Sequence, residues 1–165
     1  MESRTWIAIV TTVLLTACSA VPAEPPVAWA MKKPAHGDMV SREILIGRWY
    51  AETVESSGTK MAELKDLHRN GTYQITFRKI DREGHVTDQT EVGLWGVSGK
   101  TFFSILQATI IEKSVASAPA GDPDNYDAYE ITKLDPQVLE IVHNATHQRF
   151  ISKKVSATFQ FPSEI

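Results

Sequence analysis

The feature that most constrains this chain is the stretch Asn70 to Ile80. Asn70-Gly71 is a tight-hairpin dipeptide, because asparagine and glycine accept the positive φ angles that a two-residue turn demands. Behind it, Tyr73, Ile75 and Phe77 alternate with Thr72, Gln74, Thr76 and Arg78. A period of two places the first set on one face of a β-strand and the second on the other. One half-buried strand needs neighbours, and the surrounding sequence supplies them as short segments punctuated by turns.

Leu45 to Val54 reads as the first strand, Ala62 to His68 as a weaker second and Thr72 to Ile80 as the third. His85 to Val97 follows the turn at Asp81 to Gly84, with interruptions expected at Gly93 and Gly96. Thr101 to Glu112 is apolar on both faces (Phe102, Phe103, Ile105, Leu106, Ile110, Ile111), which predicts the most buried strand. Ser114 to Asn125 reads as a long loop. Tyr126 to Leu134, Val138 to Asn144 and Gln148 to Val155 complete the set, turned at Asp135 to Gln137 and Ala145 to His147. Thr59 to Leu67, with Met61, Leu64 and Leu67 three residues apart and charges between, also admits one short helix. About eight sequential strands predict an all-β, small antiparallel up-and-down barrel, since closure removes exposed edges. An open sandwich is the alternative. A barrel of this size is either filled by its own side chains or just wide enough for one small ligand.

Ahead of the strands the chain has a different character. Thr5 to Ala17 holds no charged residue and ends at Cys18, the single cysteine of the 165 residues. The run is shorter than the roughly 20 apolar residues that span a bilayer as a helix and has the length of a signal-peptide apolar region. From Ser19 to roughly Ser41 the composition turns to proline and alanine, which favours an extended linker. Lys32-Lys33 in that stretch read as ordinary solvated charges. The formal net charge of −3 argues against nucleic acid as a partner, because phosphate binding wants a strong positive balance.

Leu15-Thr16-Ala17-Cys18 resembles the lipobox of bacterial lipoproteins: a leucine, two small residues and the cysteine that is lipidated. The resemblance implies cleavage before Cys18, a diacylglycerol thioether on its sulfur and acylation of the new amino group. Acyl chains contribute about 0.8 kcal/mol per buried CH₂, so two or three would hold the chain at a membrane surface. The residue after the cysteine is Ser19 rather than aspartate, which implies the outer membrane of a bacterial envelope, facing the periplasm. The resulting division is a signal peptide over 1–17, a lipidated N-terminus and tether over 18–42, the barrel over 43–157 and a tail over 158–165.

Leu45-Ile46-Gly47-Arg48-Trp49-Tyr50 resembles the Gly-x-Trp first strand of lipocalins and lipocalin-like (calycin-type) domains. In those domains the tryptophan packs across the closed end of the barrel, often beneath an arginine from the last strand; Arg149 is the candidate here. Asn70-Gly71-Thr72-Tyr73 and Glu91-Val92-Gly93-Leu94-Trp95 are similar to segments of small bacterial lipocalin-like domains. The resemblance assigns Gly47 and Trp49 a structural role.

Candidate chemistry is sparse. His143 and His147 flank the final hairpin turn, but no cysteine and no well-spaced third ligand accompanies them, so these two, His68 and His85 read as surface histidines at strand ends. Asp122, Asp124 and Asp127 lack the glycine and terminal glutamate of a helical calcium loop and read as a solvated acidic loop. No serine sits in a nucleophile elbow, and no catalytic residue, metal or cofactor is expected. The aromatics Trp49, Tyr73, Phe77, Trp95, Phe102, Phe103, Tyr129 and Phe150 are assigned to the barrel interior. The expected function is non-catalytic binding of a small apolar or amphipathic molecule, with Trp95, Phe102 and Tyr129 as pocket walls. The competing expectation is a filled barrel that engages an envelope protein through its outer face or the Ser114 to Asn125 loop.

Overall fold

A computed structural model describes residues 36–162. Cys18, the apolar run before it and most of the expected tether lie outside the described residues. The chain begins with a helix, α1 (His36–Leu45), and continues as nine strands: β1 (Gly47–Val54), β2 (Lys60–Leu67), β3 (Thr72–Ile80), β4 (Val86–Ser98), β5 (Thr101–Ile111), β6 (Ser114–Ser117), β7 (Tyr126–Leu134), β8 (Val138–His143) and β9 (Arg149–Val155). All pairings are antiparallel. The order β4-β3-β2-β1-β9-β8-β7-β5, with β4 also paired to β5, closes an eight-stranded meander barrel. β7 and β6 share one edge of β5, taking Thr101–Ile105 and Ala108–Ile111 respectively.

The turns sort into two ends. The hairpin turns β2–β3, β4–β5 and β7–β8 lie at the end where β1 starts, and α1 closes that end. The other connections surround the opposite end, the mouth. Asn70 shows why its turn forms: its Oδ1 accepts hydrogen bonds from the Thr72 amide at 3.0 Å and hydroxyl at 2.8 Å, while Gly71 takes φ +86°. The Gly71 carbonyl then accepts from the Trp95 amide at 2.8 Å, tying the turn to β4.

The closed end is where the Gly-x-Trp segment acquires its meaning. Trp49 is fully buried, and its Nε1 donates to the Leu45 carbonyl at 2.7 Å. Lys154, from the last strand, lies 4.3 Å from the centre of the Trp49 ring, and its Nζ donates to the carbonyls of Ile44 and Ile46 at 2.6 and 2.5 Å. The lysine thus satisfies carbonyls that the end of α1 leaves unpaired. Gly47 is required for this: it adopts φ +122°, and a Cβ there would stand 3.0 Å from Lys154 Cε. The partner of Trp49 is therefore Lys154, not Arg149, which instead pairs with Glu140 on the barrel surface. Leu45, Leu67, Tyr73, Trp95, Phe102 and Leu139 belong to the same buried cluster as the tryptophan. Each aliphatic or phenyl side chain buried in this way contributes about 1.5–3 kcal/mol.

Several expectations are corrected. Leu45 belongs to α1, so the first strand starts at Gly47, and α1 occupies the C-terminal part of the stretch read as linker. Thr59 to Leu67 is not helical: β2 fills it, with both of its faces covered. The outer face, carrying Ala62 and Leu64, is buried on the side where the chain after β9 returns. There Arg48 is bidentate to Asp66 (2.8 Å each) and donates to the Phe159 carbonyl at 2.8 Å. Tyr50 meets Phe159 and Phe161, and Arg78 lies over the Phe161 ring. β5 is not the most buried strand: Phe103 and Ile111 face outward and are exposed. Phe103, assigned above to the interior, covers Gly96 from outside, where a Cβ would stand 2.3 Å from its ring. The Ser114 to Asn125 segment is not wholly a loop, because it contains β6 and a 3-10 turn at Pro123–Asn125. Of the two expected interruptions in β4, Gly93 sits at a register shift and Gly96 stays in register.

Candidate functional site

The inward parity of the strands carries a second set of residues toward the mouth. On β2, Glu63 and Lys65 follow the same alternation as Leu67; on β4, Glu91 is in phase with Gly93 and Trp95. β5 brings in Ser104 and β7 brings in Asp127 and Tyr129. Together they surround a cavity of about 110 Å³ in the mouth-side half of the barrel. Phe77, Phe102, Tyr129 and Phe150 form its aromatic walls, with Ile75 and Ile141 between them. Tyr129 is the hub, with ring centres 5.8 Å from Phe102, 6.1 Å from Phe150 and 5.0 Å from His143. Asp127, whose side chain is 44% exposed, marks the entrance.

Gly93 makes the site possible. A Cβ there would stand 2.1 Å from the Ile105 carbonyl oxygen and 2.8 Å from the Tyr73 ring. The glycine lets β5 and Tyr73, a residue of the cavity lining, approach β4 where β5 bulges by one residue at Gln107.

The electrostatics are lopsided. Lys65, only 4% exposed, is paired with Glu63 at 2.7 Å and sits 6.0 Å from the Phe102 ring centre. That pair is internally neutral. Glu91 and Asp127 have no lysine or arginine partner among the described residues. Glu91 accepts from Gln89 at 3.2 Å, and Asp127 stands 3.2 Å from His143 Nε2. Burial holds the Glu91 carboxyl above the usual carboxylate range; the charges of Asp127 and Glu63 add to this and the Gln89 hydrogen bond opposes it. The Tyr73 and Tyr129 hydroxyls are likewise pushed up by burial and then by the same carboxylates. Tyr73 and Ser104 are 4% and 6% exposed and line the cavity; among the described residues no fully buried side-chain nitrogen or oxygen is without a hydrogen-bond partner, so their hydroxyls are polar groups open to the cavity.

The residues assigned to the pocket from sequence divide. Phe102 and Tyr129 stand in the cavity wall. Trp95 lies beyond it at the closed end, its Nε1 donating to the His68 carbonyl at 3.0 Å beneath the guanidinium of Arg42, 4.5 Å away. The charged lining was missed because charges in a strand are normally turned to solvent. Parity with Leu67 and with Trp95 was the signal that identifies Glu63, Lys65 and Glu91.

His143 is held by Thr146, its Nδ1 2.8 Å from the hydroxyl. Asp122 caps the 3-10 turn by accepting from the Asp124 amide, and Asp127 turns into the barrel, so the three aspartates serve separate local ends. Among the described residues, the single group with metal-compatible spacing is Asp81, Glu83 and His85, on the β3–β4 turn. There Asp81 is committed to the His85 ring and to the amides of Glu83 and His85.

No family model matches the chain, and no curated protein matches it. Among solved structures it is similar to the crystal structure of a lipocalin-like protein from Bacteroides uniformis ATCC 8492, at 16% identity, with a TM-score of 0.41 over 68% of this chain and 99% of that one. The chain itself closes as an eight-stranded antiparallel meander barrel, opened by Gly47 and Trp49 and stoppered by α1.

Proposed function

We propose that the chain is a lipid-anchored protein of the bacterial envelope whose barrel binds a small amphipathic molecule without transforming it. The observation that carries the reading is the cavity itself: about 110 Å³ with aromatic walls, an entrance at Asp127 and the hydroxyl-bearing side chains of Tyr73 and Ser104 in its lining. Apolar walls with a few convergent polar groups are the usual composition of a small-molecule site. The anchoring half of the proposal rests on Leu15 to Cys18 behind its apolar run.

Two measurements test the two halves. The full chain, incubated with a bacterial lipid extract and examined by native mass spectrometry, is expected to retain a small-molecule adduct; a bare protein mass counts against the carrier reading. Cys18→Ala should abolish membrane partitioning and the acyl mass increment, and unchanged partitioning refutes the anchor.

One observation favours a second reading. Val54, Val86, Ile111 and Val115 are exposed around the mouth, a scatter of apolar side chains suited to another envelope protein. Under that reading the cavity holds only water, and the mass measurement above separates the two.

A further inference from the structure

We infer that the ligand of this cavity is a small organic cation, an ammonium group carried on a short apolar body. The inference rests on the binding reading above and names its chemistry.

The cavity lining carries one cation and three carboxylates. Lys65 and Glu63 neutralise each other at 2.7 Å, leaving Glu91 and Asp127 facing the same space with no lysine or arginine partner among the described residues, Asp127 standing 3.2 Å from His143 Nε2. Holding a carboxylate such as Glu91 in a largely buried lining, with one hydrogen bond from Gln89, is unfavourable unless something supplies more opposite charge or hydrogen bonds. A protonated amine supplies both. Its N–H groups can donate to Glu91 and Asp127 and to the Ser104 and Tyr73 hydroxyl oxygens, which are open to the cavity. Its alkyl body meets Phe77, Tyr129 and Phe150, whose ring faces also attract a cation.

The barrel already contains an example of this recognition. The Lys65 ammonium rests between the Glu63 carboxylate and the Phe102 face. An anionic head group has no equivalent place: the one lysine is committed, and the two remaining carboxylates repel it. Volume bounds the rest. A cavity of about 150 Å³ admits benzene, so this smaller one accepts a body of roughly five heavy atoms, with anything longer emerging past Asp127.

The test uses the full chain in detergent and three near-isosteric probes, butylammonium, 1-butanol and butyrate, followed by amide shifts of Ser104 and Tyr129 in NMR titrations. Butylammonium is expected to bind at least tenfold tighter than 1-butanol, and butyrate not to saturate. Glu91→Gln and Asp127→Asn, the second at the entrance and tolerant of change, should each weaken butylammonium at least threefold and leave 1-butanol unaltered. Equal affinity for 1-butanol and butylammonium overturns the cation while leaving a binding barrel. Saturation by butyrate overturns it in favour of an anion at Lys65. No saturable binding by any probe overturns this inference and counts against the binding reading as well.

Discussion

Replacing Lys154 by methionine keeps the length of the side chain and its apolar stem but deletes the ammonium. In the folded protein that ammonium makes hydrogen bonds of 2.6 and 2.5 Å to the Ile44 and Ile46 carbonyls and lies 4.3 Å from the Trp49 ring centre. A hydrogen bond involving a charged group contributes about 1.5–3 kcal/mol, and a cation over an aromatic face about 0.5–2 kcal/mol. Burial opposes them, holding the Lys154 amine below its ordinary pKa. These contributions share one atom and do not add fully, so the expected loss is about 3 kcal/mol. With a urea slope of about 2 kcal/mol per molar, the unfolding midpoint moves down by roughly 1.5 M with the slope unchanged. Urea titration followed by tryptophan fluorescence reads this directly. A shift below roughly 0.3 M would show that water or a rearranged α1 satisfies those carbonyls equally well, and would refute the role given to Lys154.

Three further outcomes follow from the packing. Gly93→Ala forces a Cβ against the Ile105 carbonyl and the Tyr73 ring, and overpacking of that kind costs at least about 1–3 kcal/mol; a thermal melt within 1 °C of the parent contradicts it. Arg48→Ala removes the bidentate pair to Asp66 and the bond to the Phe159 carbonyl, so amide exchange after residue 155 should accelerate at least tenfold while exchange in β3 stays slow. Glu91→Gln tests the buried charge. The native carboxyl binds its proton more tightly than the unfolded one, so Glu91 makes stability fall as pH rises from the ordinary carboxylate range through its raised pKa. The glutamine variant should therefore melt higher at pH 7 than the parent and flatten that slope; a parallel pH profile refutes it.

The strands were legible wherever one face met the core and the other met water. Thr72 to Ile80 is such a case, and β3 has the expected bounds. Legibility failed where a strand is covered twice. Leu64 and Ala62 are buried on the outer side of β2 while Glu63 and Lys65 line the interior, so hydrophobicity there follows neither period and imitates a helix. β5 misled in the opposite way, since Phe103 is apolar yet external, placed by the missing side chain of Gly96. α1 gave little signal, because Leu45 is its one fully buried residue among those of described burial and its anchorage to the barrel comes from Arg42 and the lysine of a strand 110 residues away. The family resemblance points to an arginine beside Trp49, whereas the space next to Gly47 is filled by the slimmer Lys154. The polar cavity emerges from register, which sequence spacing alone does not supply.

The seam between β1 and β9 joins Arg48 with Val155, Trp49 with Lys154 and Tyr50 with Lys153. It is the shortest closing contact of the barrel and joins the first and last strands. A chain threading outward from its N-terminus therefore carries β1 to β8 as an open sheet with two raw edges until the final strand arrives. Contacts of such long sequence separation make folding slow, on the scale of milliseconds to seconds. During that interval the unpaired edges of β1 and β8 are templates for other strands. The same geography makes the barrel a candidate for circular permutation: Gly47 and Val155 leave from one end, so a short bridge between them and a cut in a mouth loop would change which strand completes the circle.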